Sequence, residues 1–96
     1  MLRSNTHTLS ELIKFYKKKH HLEQGINETR LINAWSEVVG TIIAKKTKQI
    51  EIRNRKLYIS LNSSVVRNEL MQLKPDLIRR LNEETGSNTI TDIFFR

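Results

Sequence analysis

The sequence predicts a single α+β domain with the element order α-α-β-β-α-α-β, and three observations lead to this prediction. First, apolar residues in the segment 31–43 recur at the spacing of three and four that places them on one helix face. Second, apolar and polar residues alternate over residues 48–62, with a turn-type pair in the middle. Third, Pro75 and Gly86 bound a helical segment, and the apolar segment 90–95 follows it. We expect a three-stranded sheet with helices mainly on one face.

The first helix is predicted over residues 8–26. Thr8 and Glu11 have the spacing of a capping box, in which each side chain accepts a hydrogen bond from the other residue's backbone amide. Gly25 is placed to end the helix. Residues 1–7 are polar, and we expect them to be disordered.

A second helix is predicted to begin after Asn27, which can cap it, and to run to about Ala44. Gly40 is a weak point that costs about 1 kcal/mol relative to alanine. Trp35 lies in the middle of the apolar face, so we interpret it as a core residue. The seven residues of this face are Leu31, Ile32, Trp35, Val38, Val39, Ile42 and Ile43.

The alternating segment predicts a β-hairpin. A two-residue turn at positions 54–55 pairs Ile52 with Leu57 and Ile50 with Ile59. This register is favoured because it places every aliphatic side chain of the hairpin on one face.

Two more helices and a strand are predicted after the hairpin. Ser63 or Ser64 can cap the third helix, and Pro75 suits the first turn of the fourth, which Gly86 ends. The final strand covers residues 90–95. The residues expected to face the core from these two helices are Val66, Leu70, Leu73, Leu77, Ile78 and Leu81.

The charge of the chain indicates a polyanionic partner. Lys and Arg outnumber Asp and Glu by 17 to 10, giving a net charge of +7. The predicted register places Arg53 opposite Lys56, and a bound phosphate would relieve their repulsion. Tyr58 is predicted on the outer hairpin face, where a base could stack on it. The candidate nucleic-acid-binding residues are Lys45, Lys46, Lys48, Arg53, Arg55, Lys56 and Tyr58, with Lys17, Lys18 and Lys19 as a secondary basic cluster.

Each of these residues also has a purely structural interpretation. A charged hairpin tip is usually solvated, and lysines at the end of a helix are stabilised by the helix dipole. A tyrosine on the outer face of a sheet often only covers it.

Several functional classes are disfavoured by the composition. Without cysteine the chain can form neither disulfides nor thiolate metal sites. His20 and His21 are adjacent, so in a helix they point about 100° apart and cannot share one metal ion. We therefore expect no enzyme, no cofactor and no small-molecule substrate. The chain lacks a signal peptide and any run of about 20 apolar residues, so we expect a cytoplasmic protein without a membrane partner.

Several segments resemble the bacterial DciA family of replicative-helicase loaders. They are Ala34-Trp35-Ser36-Glu37-Val38-Val39-Gly40, Ile43-Ala44-Lys45-Lys46-Thr47, Leu57-Tyr58-Ile59-Ser60-Leu61, Ser63-Ser64 and Asn68-Glu69-Leu70. The resemblance covers about residues 9–95. It implies a K-homology-like fold of the second type for residues 27–96, with the first helix as an addition. It also implies nucleic-acid binding and an interaction with the replicative helicase.

The sequence departs from the family pattern at three places. Residues 73–75 lack the glycine-rich loop with which K-homology domains hold a nucleic-acid backbone. Val66 stands where the family often has tryptophan, and Arg55 stands where glycine is common.

The leading hypothesis from the sequence is a DNA-binding accessory protein of bacterial replication, with helicase loading as a further role. Two alternatives remain open. One is an RNA-binding module that uses the same surface, and the other is a protein-interaction module that binds an acidic partner.

Overall fold

A computed structural model describes residues 8–96 and confirms the predicted α+β class and element order. The disorder expected for residues 1–7 lies outside the described residues. Four helices accompany a three-stranded sheet, and the elements are α1 (Leu9–Val39), α2 (Thr41–Lys45), β1 (Thr47–Arg53), β2 (Lys56–Leu61), α3 (Ser64–Gln72), α4 (Lys74–Thr85) and β3 (Asp92–Phe95).

Helix α1 begins at the predicted capping box but is much longer than predicted. The Glu11 amide donates to the Thr8 hydroxyl at 3.2 Å, and the Thr8 amide donates to the Glu11 carboxylate at 3.3 Å. The predicted helix end at residue 26 is wrong, because the helix continues through Gly25. One glycine costs a helix interior only about 1 kcal/mol, and Thr29 bridges this position by donating to the Gly25 carbonyl at 3.1 Å. Asn27 caps no helix and instead donates to the Ser87 hydroxyl at 3.2 Å.

The boundary between the first two helices lies at Gly40. This residue has φ 92° and ψ 163°, which a residue with a side chain rarely adopts. The chain then forms the single turn of α2. The predicted continuous apolar face therefore ends at Val39, and Ile42 is 74% exposed. Trp35 is 4% exposed and belongs to the core, as predicted.

The hairpin has the predicted register, with Ile52 paired to Leu57 and Ile50 to Ile59. Asn54 and Arg55 have φ 51° and 64°, so both turn residues adopt the left-handed conformation of a type I′ turn. At the start of β1 the register shifts between residues 47 and 49, which makes Lys48 the extra residue of a β-bulge.

Helices α3 and α4 follow the prediction except at their junction. Ser63 caps α3 by accepting from the Val66 amide at 3.2 Å, and Pro75 lies in the first turn of α4. Leu73 was predicted to face the core but is 53% exposed, because it lies between the two helices rather than inside α3.

Strand β3 pairs with β2 in parallel, so the sheet order is β1-β2-β3. Asn82 holds the connection from α4, since its side-chain amide donates to the Ile90 carbonyl at 2.9 Å and accepts from the Ile90 amide at 3.0 Å. The core lies between the inner sheet face and the helices. Its fully buried members are Leu31, Leu57, Ile59, Leu70, Leu81, Ile90 and Ile93.

The N-terminal half of α1 extends away from this core. Every residue in the range 9–23 is exposed, and we call this segment the helical arm. The described chain measures 62 × 20 × 20 Å, which reflects the length of this helix. No helix within residues 8–96 is long and apolar enough to cross a membrane.

Candidate nucleic-acid interface

The six predicted cations of the hairpin segment do not form one cluster. Strand β1 covers seven residues, which span roughly 20 Å. Lys45, Lys46 and Lys48 lie at the start of this strand, and we call them the base cluster. Arg53, Arg55 and Lys56 lie at the other end, and we call them the tip cluster. A nucleic acid that contacts both clusters must therefore follow the whole hairpin.

The base cluster is exposed, and none of its lysines forms an ion pair within residues 8–96. Its position is held by a short chain of hydrogen bonds beneath it. The buried Trp35 indole donates to the Thr47 hydroxyl at 3.0 Å, and that hydroxyl donates to the Ile43 carbonyl at 3.0 Å. The core tryptophan thus joins the end of α2 to the start of β1, between the lysines of the cluster.

Within the tip cluster, the Arg55 side chain has a structural role that the sequence did not indicate. Its guanidinium donates to the Asn88 carbonyl. The Arg55 carbonyl accepts from the Thr91 amide at 2.7 Å and from the Thr91 hydroxyl at 3.3 Å. These bonds tie the turn to the loop before β3, so this arginine is only partly available to a ligand. Arg53 and Lys56 face each other across the strands, as predicted.

Tyr58 lies on the outer sheet face opposite Glu51, as predicted, and has an aromatic neighbour on β3. Its ring stacks on Phe94 with the centroids 5.3 Å apart and the planes 19° from parallel. The two residues are register partners in the parallel pair. The sequence reasoning missed Phe94. Alternation along β3 would have placed it opposite in direction to the buried Ile93, but the pairing partner of this strand was unknown.

Three further cations surround this aromatic pair. The Arg53 and Arg96 guanidinium carbons lie 4.5 and 5.1 Å from the Tyr58 centroid, and the Lys74 ammonium lies 5.6 Å from the Phe94 centroid. Such distances allow cation–π attraction. Neither Arg96 nor Lys74 was predicted from the sequence.

Two carboxylates balance part of this charge. Glu51 pairs with Arg53 at 3.3 Å and with Arg96 at 3.0 Å, so one carboxylate serves two guanidinium groups. Asp92 pairs with Lys74 at 3.2 Å. A hydrogen bond from the Ile93 amide and, less strongly, the nearby Lys74 lower the pKa of the Asp92 carboxyl, which therefore stays ionised near neutral pH. With Lys56, the outer face carries four cations and two anions.

The secondary basic cluster lies on the helical arm and is exposed. The residues that follow it, His20 and His21, line a cleft of about 480 Å³ together with Arg55 of the hairpin turn. The structure therefore brings the end of this cluster close to the tip cluster and leaves it far from the base cluster. Within residues 8–96, no group of three or more His, Asp or Glu residues is arranged to hold a metal ion.

Comparison with known proteins agrees with this fold. The family model described as "Dna[CI] antecedent, DciA" matches residues 8–95. A UPF0232 protein from Corynebacterium glutamicum (strain R) is 30% identical over 59 residues, which cover 62% of this chain. The matched region spans about a third of that relative's length, 33%. Since the family model covers nearly all the described residues, this chain belongs to the DciA family.

Proposed function

We propose that this chain is a non-enzymatic, DNA-binding accessory protein of bacterial replication that contributes to loading the replicative helicase. The observation that carries the proposal is the outer face of the sheet, where Arg53, Lys56, Arg96 and Lys74 surround an exposed aromatic pair. Cations arranged around aromatic rings are typical of surfaces that hold phosphates and bases together.

The distribution of charge supports phosphate contact at both ends of the hairpin. The base cluster has no anionic partner among residues 8–96, and the outer face has an excess of positive charge. Binding would neutralise these cations without reading the sequence, since phosphate contacts position a nucleic acid but carry no base information. The role in replication is supported by membership of the DciA family. It makes the replicative helicase the first protein partner to test.

The test is fluorescence anisotropy with labelled single-stranded and duplex DNA across a salt series. Each lost phosphate contact on a single strand reduces the slope of log K against log salt by about 0.7. Three double variants remove the same charge from different places: K45Q/K46Q in the base cluster, R53Q/K56Q on the outer face, and R30Q/R80Q on the exposed sides of α1 and α4. We expect weaker binding and a slope reduced by about 1.4 for the first two pairs, and little change for the third.

Equal effects of all three pairs would show a response to net charge alone and would contradict the assignment of the hairpin. Arg55 is left unchanged because its guanidinium holds the turn. Competition with RNA of the same sequence separates the RNA-binding alternative. If no nucleic acid binds at about 100 mM salt while the purified helicase does, the acidic-partner alternative replaces the proposal.

A further inference from the structure

The outer sheet face has a feature that phosphate binding alone does not require, namely the stacked pair of Tyr58 and Phe94. We infer that this pair, with Arg53 and Arg96, is a stacking platform for unpaired bases, so that the ligand of the face is single-stranded nucleic acid. The inference rests on the proposed function and makes it more specific. It assigns binding roles to Phe94 and Arg96, which neither the family match nor the sequence pattern provides.

The platform is built on the most rigid part of the fold. Tyr58 lies on the central strand and is paired to Glu51 on one side and Phe94 on the other. The residues that flank these aromatic positions along the strands, Leu57, Ile59 and Ile93, are fully buried. The rings are therefore held in place before any ligand arrives, which reduces the entropy lost on binding.

Exposure of Phe94 is the second step. Its side chain is 40% exposed on a face that carries charged residues on every strand. A phenylalanine facing inward on a strand contributes to the core, but here Ile93 and Phe95 already face the core and Phe94 points the other way. Leaving such a ring in water gains no burial on folding, whereas a nucleobase stacked on it would cover it.

The shared carboxylate explains how a base could gain access to the Tyr58 ring. Glu51 binds two guanidinium groups, so Arg53 can leave the ring while Arg96 keeps Glu51 paired. The side chains of Arg53 and Arg96 are 58% and 48% exposed. Ion pairs at that exposure contribute little, and base–aromatic stacking exceeds them. The released Arg53 would then contact the phosphate of the stacked nucleotide.

Duplex DNA does not fit this face in the same way. Its bases already stack on each other inside the helix, so the rings would meet only sugars and phosphates. A preference for single strands therefore follows from the aromatic pair, whereas the lysines of the base cluster would bind either form.

The experiment compares an oligothymidine with an abasic strand of equal length and charge, at one salt concentration, by fluorescence anisotropy. We expect the unaltered protein to bind the oligothymidine about tenfold more tightly than the abasic strand. Phe94→Leu and Tyr58→Leu should each remove most of that difference and leave abasic binding unchanged. Phe15→Leu is the matched control, because Phe15 is 62% exposed on the helical arm, away from the sheet. Fluorescence of the buried Trp35 reports whether each variant is folded.

The outcomes separate the two claims. Equal affinity for both strands, with a normal salt dependence, would overturn the stacking platform and leave phosphate binding in place. Loss of the difference in Phe15→Leu as well as in Phe94→Leu would also overturn it. Absence of binding to either strand would overturn the proposed function itself, and the inference with it.

Discussion

Separate replacement of Gly25 and Gly40 by alanine should change the stability of this protein in opposite directions. Both glycines were predicted from the sequence to affect helices, but the structure places Gly25 inside α1 and Gly40 at its end. No atom lies within 4 Å of an added Cβ at either position, so packing makes no difference between them. The backbone conformation alone decides the sign.

The magnitudes follow from the backbone angles. In a helix interior alanine is more favourable than glycine by about 0.5–1 kcal/mol, so Gly25→Ala should stabilise the protein by that amount. At Gly40, φ 92° and ψ 163° lie in a region that costs other residues about 1–3 kcal/mol. Alanine recovers about 0.4–1 kcal/mol by restricting the unfolded chain. Gly40→Ala should therefore destabilise by about 1–2 kcal/mol.

Urea unfolding followed by Trp35 fluorescence and far-ultraviolet circular dichroism measures both changes. Loss of stability in Gly25→Ala would refute the continuous helix, because it would mean that Gly25 ends a helix in a left-handed conformation. A neutral result at Gly40 would refute the helix boundary there.

Two further substitutions test the contacts around the site. Thr47→Val should destabilise by about 1–3 kcal/mol, because it leaves the buried Trp35 indole N–H without an acceptor; the control Thr29→Val removes an exposed helix hydroxyl, and an equal loss there in urea unfolding would contradict the argument. Asp92→Asn should lower the urea midpoint at pH 7 but not near pH about 2, since the stabilisation given by a carboxylate with a lowered pKa is complete above its unfolded-state value and is lost as the pH falls through its folded-state value. A constant difference between Asp92→Asn and the unaltered protein from pH 7 to about pH 2 would show that the charge of Asp92 is not involved.

The hairpin was predictable from sequence because local rules determine it. Alternation fixed which residues face inward, and only one turn position aligned Ile50, Ile52, Leu57 and Ile59 on a single face. The helix boundary was not predictable in this way. Gly25 and Gly40 look alike in sequence, and the choice between them depends on tertiary bonds such as the one from Asn27 to Ser87, 60 residues away.

The candidate site was predicted in part for the same reason. Residues on β1 and β2 could be placed relative to each other through their turn, which gave Arg53, Lys56 and Tyr58. Phe94 and Arg96 belong to a strand that joins the sheet by a parallel crossover, and alternation does not reveal which strand it pairs with. The aromatic pair is therefore a product of topology, visible only once β3 is placed beside β2.

The helical arm affects the site through the place where it is anchored. An isolated helix of this length is marginal in water, so the arm is formed as a continuation of the packed part of α1. Its anchors are Gln24, whose amide donates to the Thr89 carbonyl at 3.4 Å, and Asn27. Lys19 precedes Gln24 by five residues, or roughly 7.5 Å along the helix axis. The secondary basic cluster is thus the part of the arm closest to the anchor, and it extends the positive surface outward from the hairpin tip rather than toward the base cluster.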